Sequence, residues 1–487
     1  MTTGDIALVY AVRLPVVGKY LGQLALTLAI LTAVPAAVAV VDGEHAVALR
    51  YGIVMGGLIL GALPTLRLPA PAHVQSNEAL LIVALTFLAA ALLMSYPMMA
   101  AGLSFADALF EAISGITTTG LTTVQGIEEK SRSFLFVRAW MQWYGGLGIA
   151  VLSVALLMGH HMAARRLMEP VTGEPLVTTA RTYARHILIV YLALTLAGIG
   201  MLWFLLDDAL LAILHTLSSV STGGFSPYSA SLAGLDSWTA RFTVMAFALC
   251  GALPLIVYYR ATERGWRAIA GDVEVQALTV TVTLVVVVLS LLMATTAGGG
   301  GTETLLHACL LGISAQTGTG FSSMTVGDLD DASKLVLILS MFVGGGVGST
   351  AGGIKLLRLV ILLRLLQLML RRTALSDHAV MKPRLAGRPL EDEDLQRAML
   401  VILLFTTTIA VSWLGFVAFG HAPLDALFEV VSATATAGLS TGITGSGLHP
   451  LLKTVLCVDM LLGRLEIVAL LVILYPRTWI GKRANSQ

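Results

Sequence analysis

Four short stretches of this chain could hold a cation without offering it one carboxylate. They read ISGITTTGLTT (113–123), LSSVSTGGFSP (217–227), GISAQTGTGFS (312–322) and VSATATAGLST (431–441). Their glycines Gly120, Gly224, Gly320 and Gly438 align, at spacings of 104, 96 and 118 residues. Two of the copies share a longer opening, DALFE at 107–111 and at 425–429. Backbone carbonyl oxygens can replace a cation's hydration shell when several strands bring them together. Glycine supplies the backbone angles that aim successive carbonyls one way. Thr118, Thr222 and Thr436 stand two residues before the aligned glycines, and Gly318 takes that place in the third copy. A threonine hydroxyl is a further oxygen ligand or a packing anchor. With no acidic residue inside the turns, a carboxylate-ring site of the calcium type is disfavoured. A large, weakly hydrated monovalent cation fits better.

The elements that must position these turns are helices in a membrane. Of 487 residues, 56% are hydrophobic and 12% charged, and the mean hydropathy is +0.85; a soluble domain is about 25% charged. The runs 79–99, 134–158, 182–206, 274–296 and 396–420 are apolar. Each is about 20 residues, the length that crosses a roughly 30 Å hydrocarbon core. The segments just before the turns, 104–116, 208–219, 303–315 and 422–434, are shorter. They are predicted to be re-entrant helices, whose non-helical ends survive at membrane depth only inside protein or along a wet cavity. Each helix would point its partly negative C-terminal end at the turn, which favours a cation there. The repeating unit is therefore long helix, short helix, Gly/Thr turn, long helix. The predicted fold is an all-α polytopic membrane protein with a two-helix N-terminal hairpin (1–70). Four such units follow, 71–160, 161–262, 263–375 and 376–487, around one pore.

Charge orients it. The inter-repeat segments 159–186, 260–275 and 371–397 and the tail 476–487 carry 16 Lys and Arg, against 4 in the segments just after the turns. The positive-inside bias puts the linkers and both termini in the cytoplasm and the turns near the outer face. The N-terminal apolar run 24–41 could pass for a signal peptide, but the apolar run 48–66 follows at once, so an uncleaved hairpin is expected. Cys250, Cys309 and Cys457 have no metal-ligand spacing and read as small hydrophobes. The net charge of +1 implies no nucleic-acid partner.

Two further motifs bear on mechanism. In 341–358, MFVGGGVGSTAGGIKLLR, six glycines fall within 344–353. Such a run would cost a helix about 1 kcal/mol per glycine, so the helix is expected to break there. Gly346 to Ala351 fits GxGxxA, yet no acidic residue stands near the offset of about 20 that dinucleotide binding needs, and the flanks are membrane-length. A tight helix-packing face is the plainer reading of the glycines. The second motif is MLLGRLEIVALL (460–471), with Arg464 and Glu466 midway along the last apolar run. Intramembrane charges default to a functional reading. Arg464 could instead be a structural bridge donating to carbonyls of 344–353, with Asp459 as a counter-charge. His160, His161, Arg165 and Arg166 read as a solvated flank, and Lys355, Arg358 and Arg364 as anchors near the cytoplasmic surface. The basic-then-acidic linker 371–397, with Glu391 to Asp394, could dock a cytoplasmic subunit.

Taken together, the chain resembles the Trk/Ktr/HKT superfamily of potassium transporters along nearly its whole length. The two N-terminal helices, 10–66, resemble its TrkH/TrkG branch more than the Ktr branch, and STGGFSPYSAS (221–231) is the most family-like of the four turns. The resemblance implies potassium uptake through a channel-like pore, K⁺ as the transported ion, no other cofactor, and no enzymatic activity. It implies a filter built of Thr117, Thr118, Thr119 and Gly120; Ser221, Thr222, Gly223 and Gly224; Thr317, Gly318, Thr319 and Gly320; and Ala435, Thr436, Ala437 and Gly438. It implies a gate of Gly344, Gly345, Gly346, Gly348, Ser349, Thr350, Gly352, Gly353 and Lys355, with Arg464 below the filter. A homodimer in the inner membrane and a cytoplasmic TrkA-like nucleotide-binding regulatory subunit, acting in trans, are further expectations. One aligned glycine per copy, rather than a full TVGYG, leaves a less selective K⁺/Na⁺ transporter of the same fold as the alternative. A broken-helix secondary transporter of another solute is more distant, since it would show a twofold repeat. A membrane enzyme would need clustered intramembrane His, Asp or Glu.

Overall fold

The structure, a computed structural model, describes residues 11–69, 74–160, 180–296, 301–373, 384–385, 388–390, 392–465 and 467–480. His161, Arg165, Arg166, Glu391 and Glu466 lie outside them. The regular secondary structure of the described residues is helical apart from a two-residue antiparallel strand pair, Arg384–Leu385 with Arg388–Pro389. Six described helices are long and apolar enough to cross a membrane, and a pair bent by 83° makes a seventh.

The N-terminal hairpin is α1 (Leu14–Val41) and α2 (His45–Thr65), turned at Gly43. It is pinned to the first repeat: Trp140 Nε1 donates to the Leu31 carbonyl at 2.9 Å. Repeat 1 is α3 (Ser76–Met98), short α4 (Phe105–Ile116) and α5 (Arg132–His160). Repeat 2 is α6 (Ala180–Leu206), short α7 (Ala209–Val220), α8 (Trp238–Ala252) and α9 (Leu255–Arg264). Repeat 3 is α10 (Val273–Thr296), short α11 (Thr302–Thr317), α12 (Asp331–Val343) and α13 (Leu356–Arg372). Repeat 4 is α14 (Asp392–Ala418), short α15 (Pro423–Thr434), α16 (Pro450–Arg464) and α17 (Val468–Leu474).

The short helices start where their sequences cap them. Ser104 accepts from the Asp107 amide at 3.2 Å. Asp208 accepts from the Leu210 and Leu211 amides at 2.8 and 3.0 Å. Pro423, whose missing N–H is harmless in a first turn, opens the fourth. Outer helices leave large apolar residues such as Leu196, Phe204, Val280 and Leu291 exposed, as a lipid-facing surface requires.

One expectation needs correction. The sequence suggests unbroken second long helices save in repeat 3, but those of repeats 2 and 4 break too. Repeat 2 bends by 83° at Leu253–Pro254, where Pro254 lacks an N–H and clashes with a preceding turn. Repeat 4 stops at Arg464 and restarts at Val468, with Ile467 at φ 52°. Arg464 therefore sits at a helix end rather than midway along a span.

Candidate functional site

All four short helices end in the same way. The residue two before the aligned glycine has positive φ: Thr118 53°, Thr222 52°, Gly318 64° and Thr436 49°. Its amide donates to the carbonyl three residues back, and the next amide to the carbonyl five residues back. In repeat 1 these bonds are Thr118 to Gly115 at 3.0 Å and Thr119 to Ser114 at 2.9 Å. The equivalent pairs are Thr222–Ser219 with Gly223–Ser218, Gly318–Ala315 with Thr319–Ser314, and Thr436–Ala433 with Ala437–Ser432. This is the Schellman ending, which normally uses glycine in the left-handed position. A β-branched threonine there is strained by about 1–3 kcal/mol, so three copies keep a side chain that local backbone preference would remove. Two of those hydroxyls, on Thr118 and Thr436, are buried with no hydrogen-bond partner among the described residues. The third, on Thr222, donates to Ser221 O at 2.7 Å and lies 3.3 Å from Thr350 Oγ1. Hydroxyls one residue earlier turn back instead: Thr117, Ser221 and Thr317 donate to Ile113, Leu217 and Ile313 carbonyls at 2.7–2.8 Å.

The turns close on one another. A β-carbon at Gly120 would overlap the Gly223 carbonyl oxygen, and one at Gly224 would overlap that of Thr319. One at Gly320 would meet the Ala437 oxygen, and one at Gly438 the Thr119 oxygen, which returns to the first copy. All four glycines have φ between 78° and 90°. The carbonyl oxygens of Thr119, Gly223, Thr319 and Ala437 thus form a closed ring, each against the neighbouring copy's glycine. Glycine is required at all four places, for its backbone angle and for the close approach.

Outside the ring, each neighbouring pair of repeats is stapled. Lys453 pairs with Asp107 at 2.6 Å and Lys334 with Asp425 at 2.9 Å. Arg138 donates to Glu111 at 3.0 Å and to the Ser226 carbonyl at 3.3 Å, with its guanidinium 4.0 Å from the Phe225 ring centre. The Leu232 amide donates to the Ser322 carbonyl at 2.9 Å. Glu128 accepts from the Ser229 hydroxyl at 2.7 Å. Desolvation opposes its charge, but the bonds from Ser229 outweigh that and hold its pKa below the ordinary value.

The DALFE opening has a structural reason. Its glutamates, Glu111 and Glu429, are fully buried and reach up to the chain leaving the glycine. Glu111 accepts from the Thr123 amide at 2.9 Å and from the Thr122 hydroxyl. Glu429 accepts from the Thr441 amide at 2.8 Å and from hydroxyls of Ser440, Thr441 and Thr444. Glu429→Ala orphans these donors, at roughly 1–3 kcal/mol for each that stays buried. It should lower the melting temperature of the detergent-solubilised protein by several degrees, as read by intrinsic fluorescence, while exposed Glu303→Ala leaves it unchanged.

Beneath the ring, the glycine-rich segment 344–355 is a loop buttressed on three sides. The Gly346 amide donates to Ala252 O at 3.2 Å and the Thr350 amide to Gly251 O at 3.1 Å. The Thr350 hydroxyl reaches the Val220 carbonyl at 3.1 Å. A β-carbon on Gly352 would overlap the Ala435 carbonyl and the Thr436 hydroxyl. Ser349 donates to Gly346 O at 2.6 Å, and a β-carbon on Gly345 would overlap Ala351. Gly344, Gly348 and Gly353 have positive φ, so the loop could not follow this path with bulkier residues. Lys355, also at positive φ, donates to Ala351 O. Arg464 is buried and donates through Nη1 to the Thr350 carbonyl at 2.7 Å, whereas its Nε and Nη2 have no partner among the described residues. Arg358 donates to the Ile354 carbonyl at 3.1 Å and Arg364 to Gln367 at 2.7 Å on the exposed side. Asp459 forms no ion pair with Arg464 among the described residues; it accepts from Ser412 at 2.8 Å.

Three features escape the sequence reading. Glu274 accepts from the Val347 amide at 2.7 Å and so clasps the loop from α10. An acidic residue in the first turn of an apolar helix is the signal that could have found it. Ser114, Ser218, Ser314 and Ser432 stand six residues before each glycine, visible once the copies are aligned. Gln142 contacts the second turn from another repeat, and no local pattern marks it.

The comparisons with known proteins agree with this architecture. The TrkH family model, described as a cation transport protein, matches residues 53–478. The chain is 30% identical over 484 residues to the Trk system potassium uptake protein TrkI of Halomonas elongata, covering 95% of this chain and 96% of that one. It is 29% identical over 391 residues to the Trk system potassium uptake protein TrkH of Escherichia coli K12, covering 77% of this chain and 80% of that one. The crystal structure of the potassium transporter TrkH from Vibrio parahaemolyticus superposes with a TM-score of 0.87 at 26% identity, covering 96% of this chain and 100% of that one. A match that runs through all four repeats, with relatives of nearly equal length, makes this multi-pass membrane protein a member of the TrkH family of cation transport proteins.

Proposed function

We propose that this chain is the pore-forming subunit of a potassium uptake system, passing K⁺ through the ring of four turns. The observation that carries the reading is the closed circuit of glycine and carbonyl contacts from Gly120 to Gly223, Gly224 to Thr319, Gly320 to Ala437 and Gly438 to Thr119. It gathers four backbone oxygens without a carboxylate, the chemistry that suits a weakly hydrated monovalent cation. The buried hydroxyls of Thr118 and Thr436, without a partner among the described residues, are further oxygens that suit an ion. Relatives named as potassium uptake proteins support the choice of K⁺.

In this reading the loop 344–353 gates the path and Arg464 locks it. The loop abuts the second turn at Thr222 and the fourth at Ala435 and Thr436, and Arg464 holds its Thr350 carbonyl. A fixed positive charge beneath the ring also raises a barrier to cations. The inner membrane, cytoplasmic termini, a homodimer and a nucleotide-binding regulatory subunit complete the proposal; the "Trk system" in the relatives' names fits a multi-component assembly. A second reading, a K⁺/Na⁺ transporter of the same fold, rests on the single aligned glycine per copy.

The test is Gly120→Ser. The added side chain meets the Gly223 carbonyl at a backbone angle that glycine favours. The ratio of Na⁺ to K⁺ influx into proteoliposomes should rise. An unchanged ratio removes Gly120 from the ion path.

A further inference from the structure

The ring departs from fourfold symmetry at one carbonyl. Gln142, on α5 of repeat 1 and fully buried, donates through Nε2 to the Gly223 oxygen at 2.5 Å. Its Oε1 accepts from the Phe225 amide at 3.1 Å. One side-chain amide therefore grips the second turn on both sides of Gly224, and only this orientation of the amide satisfies both backbone groups. A β-carbon at Gly223 would overlap the same amide. Glycine here, where the other copies carry Thr119, Thr319 and Ala437, goes with glutamine opposite.

No such clamp recurs at the matching positions of repeats 2 and 4. The second long helices of repeats 1, 2 and 4 each pass a glycine close to the carbonyl four residues before the aligned glycine. The pairs are Gly145 on Ile116, Gly251 on Val220 and Gly463 on Thr434. Three residues before these glycines stand Gln142, Ala248 and Met460. Among these, only repeat 1 offers an amide.

We infer that Gln142 is a positioning residue that sets the ion selectivity of the ring by fixing the Gly223 carbonyl. This rests on the proposed potassium pathway. Selectivity in a carbonyl ring depends on how many dipoles face the ion and how firmly they are held. Gly223-Gly224 is the most pliant backbone of the four turns, since consecutive glycines have the widest conformational freedom. A donor on the Gly223 oxygen withdraws part of its charge from the ion path, and the bond to Phe225 stops the turn from rotating.

The experiment compares K⁺ and Na⁺ influx into proteoliposomes holding wild type, Gln142→Met or Gln142→Glu. Methionine copies the residue at 460. Glutamate keeps the shape and the Phe225 bond and, in vesicles assayed at a pH high enough to ionise the buried carboxyl, cannot donate to Gly223. In either variant the K⁺/Na⁺ ratio should shift about three- to tenfold, the factor one neutral hydrogen bond is worth, while total cation influx persists. Wild-type elution from a sizing column reports folding. A selective wild type with an unchanged ratio in a folded variant overturns the inference alone. Equal K⁺ and Na⁺ influx in the wild type overturns the potassium pathway and the inference with it. Loss of fold in both variants also overturns it, by assigning Gln142 to the scaffold.

Discussion

Gly224→Ala should cut K⁺ influx at least about tenfold, since 1.4 kcal/mol is a factor of ten and two effects each reach that size. Gly224 has φ 78°, and a left-handed backbone costs an L-residue about 1–2 kcal/mol. The new methyl group would also overlap the Thr319 carbonyl oxygen, which must move out of the ring. Rb⁺ tracer uptake into proteoliposomes measures the loss. Gly56→Ala, in α2 with open space at the β-carbon, is the control and should leave uptake unchanged. Equal uptake by Gly224→Ala and wild type would mean that the ring is a packing device and the ion passes elsewhere.

Arg464→Gln should have an effect of similar size and opposite sign. It removes the fixed charge under the ring and weakens the bond that holds Thr350 O. A hydrogen bond to a charged group contributes about 1.5–3 kcal/mol, so K⁺ influx without a cytoplasmic partner should rise about tenfold or more. Arg464→Lys keeps the charge but not the fork that reaches the carbonyl, and should fall between. Lower flux with a lower melting temperature would make Arg464 a brace that the pore needs when open. Shortening 344–353 is a blunter test of the proposed gate, since the loop also buttresses repeat 2 through Gly251 and Ala252.

The repeat unit was legible because it is written in local sequence. Small residues ending in glycine, after a dozen apolar residues, located Phe105–Ile116, Ala209–Val220 and Pro423–Thr434 within a residue or two. The third short helix, Thr302–Thr317, runs two residues further, to the left-handed Gly318. Gly318, which takes the threonine position in the third copy, shares the positive φ of Thr118, Thr222 and Thr436. The glycine run 344–353 does break its helix, as the cost of six glycines required. The break after Arg464 was hidden, because the one glycine in MLLGRLEIVALL, Gly463, is too weak a signal to end a helix on its own. The roles of Glu111 and Glu429 were hidden for a related reason. DALFE stood out as a repeat, but its glutamates act on residues eleven to fifteen positions away, across a turn. Gln142 acts across 81 residues and two repeats, so no window on the sequence contains the contact.

Selection of a monovalent cation by the four backbone turns is the heart of the proposed function. Influx of K⁺, Rb⁺, Na⁺ and Li⁺ into vesicles carrying the purified protein, compared at one fixed voltage, tests it most directly. Saturable K⁺ and Rb⁺ influx well above Na⁺ and Li⁺ is the expected result. Equal influx of all four ions, or Na⁺ and Li⁺ ahead of K⁺, would contradict it.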